Sequence, residues 1–370
     1  MSTLSKLILA GTMSLALLFG FMDPLWPDAL LSFKRLHIFL FNLMSGGALI
    51  IHYTERRPDL GRTAVTYFLL SLGYALSAAA RLYPLTLVLS LPLFALVESV
   101  RIRRFSFFPL DFFRPEVRVH EKFHQASLLC LSIGILTASL VILNNEYLHL
   151  VSYRKLTLDV FFLGYSFPIS LITMAIMFSF MPEDRGPLVR LMLEICFWVV
   201  NLGVITFFLF IIFEMFVPEV TAATTLFVAV GVIYYLFLRI APAVQQKTFL
   251  LSGMTFLLLT AITGILYTLH YYHPVLADYR EQILRLHAVI SLYGWNLSGL
   301  IIIMRRYDFP IRLNSALVIA LHWAIVMVLT PLGRMQITIG LLTVGVYALF
   351  LALVLASRGP RVAAITPAGG

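Results

Sequence analysis

The stretch Leu284-Arg285-Leu286-His287-Ala288-Val289-Ile290-Ser291-Leu292-Tyr293-Gly294-Trp295-Asn296-Leu297-Ser298-Gly299-Leu300-Ile301-Ile302-Ile303-Met304 decides the fold of this chain. Beyond Arg285 it runs to Met304 with no formal charge, and Arg305-Arg306 close it. A helix needs roughly 20 mostly apolar residues to cross a bilayer, and this segment supplies them. The same reading applied outward predicts twelve spans: 5–22, 35–53, 64–80, 84–100, 124–143, 157–180, 188–215, 220–238, 248–270, 283–304, 313–331 and 336–356. The fold expected is an all-α polytopic membrane bundle. Residues 1–356 would form a single transmembrane domain, and 357–370 a disordered cytoplasmic tail.

Composition agrees. Of the 370 residues, 60% are hydrophobic and 12% charged. A soluble domain is about half apolar and about a quarter charged. No segment is left over for a soluble domain. The first span lacks a small-residue cleavage site after it and reads as a retained helix. Cys130 and Cys196 both fall in apolar runs and offer neither a disulfide framework nor a thiolate metal site.

The net charge of +9 does not describe a nucleic-acid surface, because the basic residues sit in short loops, where they report orientation. With the N-terminus inside, the alternating segments assign 19 of the 27 basic residues to the inside, among them Lys6, Arg56, Arg57, Arg101, Arg104 and Arg306. The other 8 are Lys34, Arg35, Arg81, Arg154, Lys155, Arg280, Arg285 and Arg334. That imbalance predicts two cytoplasmic termini in a cell inner (cytoplasmic) membrane. The longest polar stretch, 101–123, mixes Phe105, Phe107, Phe108, Phe112 and Phe113 with arginines and reads as an interfacial segment on the inner leaflet.

Two histidines stand at matching places. His37 follows Lys34-Arg35-Leu36 and precedes a helix with Ser45, Gly46 and Gly47; His287 follows Leu284-Arg285-Leu286. Both lie near the outer start of an even-numbered span, so both sit at a similar depth. Neutral imidazole ligates haem iron well. Ser291, Gly294 and Ser298 continue one face of the helix below His287 and leave room for a flat ring, or for a close neighbouring helix. His322, in mid-span beside Trp323, is a third candidate ligand or a buried polar contact. His52, His120 and His124 lie toward the inner side; His149, His270 and His273 read as solvated at the outer surface. Among the acids Glu98, Asp159, Glu194 and Glu214, only Glu194 is deep in a span. A protonated carboxyl bonded to a neighbouring helix is favoured there over a proton relay.

Twelve spans with histidines at the outer ends of spans 2 and 10 resemble the core subunit of haem–copper oxidases, in the divergent manner of NnrS-like and YndJ-like membrane proteins. The resemblance implies that His37 and His287 hold a low-spin haem. It places Arg334 in the loop whose basic residues bind propionates. In that family a second histidine stands two residues before the span-10 ligand. Here that position is Arg285, and spans 6 to 8 carry no histidine for copper. The expectation is therefore haem b without copper and without oxygen reductase activity. Arg35, Arg285 and Arg334 would pair with propionates, and the task would be electron transfer or a response to nitric oxide or another small gas. The outer face would receive a redox protein, and no enzymatic reaction is assigned. A haem-free secondary transporter or a structural membrane subunit is the alternative; no six-plus-six repeat or paired broken helices favour the transporter.

Overall fold

Long apolar runs must satisfy their own backbone groups in hydrocarbon, and a helix does so within one segment. The computed structural model shows this outcome. It describes every residue except 27–29, 153–163, 183–185 and 359–370. About 82% of the chain is helical, and the described residues contain no strand. The main helices are α1 (Thr3–Met22), α2 (Phe33–Glu55), α3 (Arg62–Ala79), α4 (Tyr83–Arg104), α5 (Val119–Leu148) and α6 (Gly164–Ser179). They continue with α7 (Pro187–Ile212), α8 (Phe216–Ile240), α9 (Gln245–Leu269), α10 (Arg280–Met304), α11 (Ala316–Met335) and α12 (Ile337–Ala356).

Ten of these are long and apolar enough to cross a membrane. The other two are instructive. The described part of α6 is short, because 157–163 of its expected span lie outside the described residues. Helix α3 is diluted by Tyr67, Ser71, Tyr74 and Ser77, which are buried against the rest of the bundle. The acid at Asp159 and most of the expected tail, 359–370, also fall outside the described residues.

Successive helices pack side by side from α1 to α6 and again from α7 to α12, and α12 returns to α1. Helices α2 and α10 lie at the centre. Their apolar windows are 83% and 78% buried, against 22% for α7 and 33% for α4. The two helices that carry the paired histidines are thus walled by protein rather than by lipid. Residues assigned above to one side of the membrane do meet at one end. Lys6 pairs with Asp308, Arg306 lies over the Tyr53 ring, and Thr54 Oγ1 is 2.7 Å from His124 Nε2.

Helices α2, α10 and α11 loosen into π-helical turns at Phe39–Gly46, Ile290–Asn296 and Ala324–Leu329. Such turns leave carbonyls short of partners, and side chains supply them. Ser45 Oγ donates to Leu40 O at 2.8 Å, Tyr67 to Leu43 O at 3.0 Å, and Thr330 Oγ1 to Ile325 O at 2.8 Å. Each turn begins two or three residues after a histidine: His37, His287 and His322. Wide turns of this kind occur often at functional sites.

The α2–α3 loop is tied to the start of α1 through Asp59. Its Oδ1 accepts from the Ser2 N–H at 3.1 Å, the Ser5 hydroxyl at 2.8 Å and the Leu60 N–H at 2.8 Å. Burial pushes this carboxyl up, but the hydrogen bonds outweigh it and hold the group well below the usual carboxylate range. A depressed folded-state pKa contributes stability that is complete above the unfolded value of 3.8 and is lost as pH falls through the folded value. The thermal midpoint of the wild type is therefore expected to drop below about pH 4. Asp59→Asn should start lower at neutral pH and lack that part of the drop. Parallel midpoint curves for the two proteins would remove Asp59 from this role.

Candidate cofactor site

His37 and His287 are held by the same construction, built twice. Ser32 caps the start of α2, its side chain accepting from the Arg35 N–H, and this places His37 one turn into the helix. The His37 ring then lies against α1. Its Nδ1 is 2.7 Å from the Ala16 carbonyl, and a β-carbon at Gly20 would stand 2.8 Å from the same nitrogen. The His287 ring lies against α9. Its Nδ1 is 2.9 Å from the Thr260 carbonyl, and a β-carbon at Gly264 would stand 3.3 Å from its Cε1. In both cases a carbonyl at one position and a glycine four residues later on the adjacent helix receive the Nδ1–Cε1 edge of the ring. Only an N–H can bond a carbonyl, so Nδ1 carries the proton in each ring. The neutral imidazole then has its lone pair on Nε2. Histidines that ligate metal are held in this way, with the second nitrogen donating to a carbonyl or carboxylate.

A cavity of about 340 Å³ lies between α2 and α10 at this level. His37, Asn42, Ala288 and Ser291 form part of its wall, and Lys34, Arg285 and Arg334 also line it. Asp23 and Glu281 oppose these cations, and Glu281 already pairs with Arg285 at 2.9 Å. Two buried polar atoms at the cavity lack a hydrogen-bond partner among the described residues, Asn42 Oδ1 and Arg334 Nε. The orphaned Arg334 donor and the basic lining suit a ligand that brings carboxylates. Small residues on two helices (Gly20 on α1, Ala288 and Ser291 on α10) form part of the wall. His287 stands on the flank of the same α10 face and is not part of the cavity lining; its ring edge is turned to α9. The Tyr293 hydroxyl joins the site from α10, 3.2 Å from His37 Nδ1.

Several expected site residues are placed differently. Arg35 does not line the cavity. Its guanidinium donates to the Ala78 carbonyl at 2.7 Å near the end of α3 and lies over the Tyr83 ring, because the last turn of α3 presents its carbonyls beside it. Lys34, one residue earlier and not singled out from the sequence, lines the cavity instead. His322 also lies outside it. His322 Nε2 is 2.6 Å from the Tyr293 carbonyl, which the π-helical turn releases, and its ring stacks on Phe249 and Phe350. The small residues below His287 divide between two uses. Ser291 faces the cavity, but Gly294 receives Phe256, Ser298 receives Gly253, and Gly299 receives Thr173. Below the first turn, then, close helix packing takes the face that the spacing also fitted to a flat ring. His270 is buried beside Tyr267 and Tyr271 rather than solvated, because the last turn of α9 folds over it; His149 and His273 are exposed as expected.

Glu194 is bonded to the neighbouring helix α5, and its partner there is a lysine that the sequence reading did not pair with it. Lys122 Nζ lies 2.7 Å and 2.8 Å from its two oxygens. Sequence reasoning missed Lys122 because it began the fifth span at 124, while the helix starts a turn earlier, at Val119. Among the described residues no group of three or more His, Cys, Asp and Glu side chains converges as a metal site. No family model, no curated protein and no solved structure matches this chain, so its function is argued from the geometry of the two histidines and the cavity between their helices.

Proposed function

We propose that this chain is a b-type haem protein of the inner membrane, with His37 and His287 as axial ligands, acting in electron transfer or in the response to nitric oxide or a similar small gas. The repeated construction carries this reading: two histidines at matching positions, on the two most buried of the ten membrane-length helices, each with its Nδ1–H donating to a carbonyl of the neighbouring helix. Packing alone asks for a partner at each imidazole. It does not ask for the same tautomer and the same carbonyl-and-glycine seat. Haem iron held by two imidazoles supplies one-electron transfer. Ala16 and Thr260 orient the rings, Arg334, Arg285 and Lys34 hold carboxylates at the outer end, and the surrounding helices exclude water. Among the described residues no cluster of imidazoles converges as a copper site, and the reading includes no copper and no oxygen reduction. The optical spectrum of the purified, reduced protein tests it: sharp low-spin bands are expected, and a haem-free preparation from haem-replete cells would end the proposal.

The same reading places both termini in the cytoplasm and the cavity at the outer end of a twelve-span bundle, from the basic-residue imbalance. A reporter at the C-terminal end should be active only in the cytoplasm. One inserted near Asn145 should be active only outside. The reverse pattern would put the cavity on the cytoplasmic side.

A further inference from the structure

A second cavity, unrelated to the histidines, lies on the lipid-facing side of the bundle where α1 meets α12. It has a volume of about 780 Å³. Its floor is built from small residues on both helices. Ala10, Gly11 and Ser14 come from α1, and Ala348 and Ala352 from α12. A β-carbon at Gly11 would meet nothing within 4 Å, so the trough is open there rather than filled by a neighbour. Two helices in close contact normally interdigitate larger side chains. Here the first and last helices leave a long apolar channel beside the bilayer.

One end of this channel is strongly basic. Lys6, Arg305 and Arg358 line it, with Asp308 as the acidic residue among the lining side chains. Three cations against one carboxylate leave an excess of two positive charges. Arg305 is 3% exposed and spends its guanidinium on the carbonyls that end α12, including Ser357 O at 2.5 Å. Lys6 pairs with Asp308. Arg358 is exposed at the mouth. The arrangement therefore joins an apolar channel about one leaflet long to a cationic end.

We propose that this groove seats one anionic phospholipid, with an acyl chain along Gly11 and Ala352 and the phosphate against Lys6 and Arg358. Charge complementarity selects the headgroup, since each basic residue at a membrane surface favours an anionic lipid by roughly five-fold. A soluble anion would use the basic end but has nothing to place in the channel. A zwitterionic lipid would fill the channel but gain little from the excess charge.

Native mass spectrometry of the full chain in detergent tests this, with phosphatidylglycerol and phosphatidylcholine of identical acyl chains added in turn. One phosphatidylglycerol should be retained per chain, preferred over phosphatidylcholine by roughly five-fold or more, and excess inorganic phosphate should not displace it. Gly11→Leu, at an open position that tolerates a side chain, should abolish retention of both lipids. Arg358→Gln should lower phosphatidylglycerol retention alone. Residues 359–370 are the competing occupant, and their deletion should leave retention unchanged. Equal retention of the two lipids, full retention by Gly11→Leu, displacement by free phosphate, or binding seen only after removal of 359–370 would each overturn the proposal. None of these readings depends on whether haem is bound.

Discussion

Alanine at His37 is expected to abolish the low-spin haem bands of the purified protein, and alanine at His287 to do the same. A bis-imidazole site loses one of two bonds to iron in either variant, and the ligand that remains cannot keep the iron six-coordinate. The fold should survive. Each substitution removes a hydrogen bond to a backbone carbonyl, which costs on the order of 1 kcal/mol, with a modest loss of packing in addition. Helicity and detergent-solubilised yield should therefore match the wild type, so that haem loss can be separated from unfolding. Added imidazole should restore part of the six-coordinate spectrum to His37→Ala, because Gly20 and the cavity leave space for the free base. His322→Phe should keep the bands, since that ring is stacked among Phe249, Phe256 and Phe350 and lies outside the cavity. Haem retained at full occupancy by both alanine variants would show that the two histidines are packing contacts, and a b-type site elsewhere would then be needed.

Glu194→Gln is expected to be the most damaging single change outside the cavity. Lys122 is 2% exposed, and its ammonium has Glu194 as its ion-pair partner. Removing one member of a buried pair leaves an uncompensated charge and costs about 3–5 kcal/mol. The Glu194 side chain is 20% exposed, so the lower end of that range applies here. Replacing both residues with apolar ones, as in Lys122→Met with Glu194→Leu, should recover most of the loss, because the desolvation of both charges disappears together. Unfolding of the wild type, Lys122→Met, Glu194→Leu and the double variant in one detergent measures this as a double-mutant cycle. A double variant no better than Glu194→Gln alone would show that the pair contributes packing rather than charge compensation. Phe112, Phe113 and Trp198 line one surface pocket together with the pair, so the interfacial segment and the ion pair belong to one structural unit.

The class of fold was legible from the chain alone, because hydropathy is a one-dimensional property: a run such as 286–304 must be helical in hydrocarbon whatever its neighbours are. The placement of His37 and His287 near the starts of two apolar helices was legible for the same reason. Their partners were not. Ala16 and Thr260 act through backbone carbonyls, which every residue has, and Gly20 and Gly264 differ from other membrane glycines only in what faces them. Lys34 and Arg35 are adjacent in the sequence, and nothing in that order says which enters the cavity. The α3–α4 turn draws Arg35 away and leaves Lys34. Glu194 looked like a lone acid because its cation lies 72 residues earlier in the chain. Periodicity put Ser291, Gly294 and Ser298 on one face, but only the position of α9 decides that Gly294 and Ser298 are packing sites while Ser291 faces the cavity. The polytopic helical class is a property of segments and was determined by the sequence. Ring orientation, ion pairing and the division of one helix face between cavity and contact are properties of pairs of helices, and only the tertiary structure decided them.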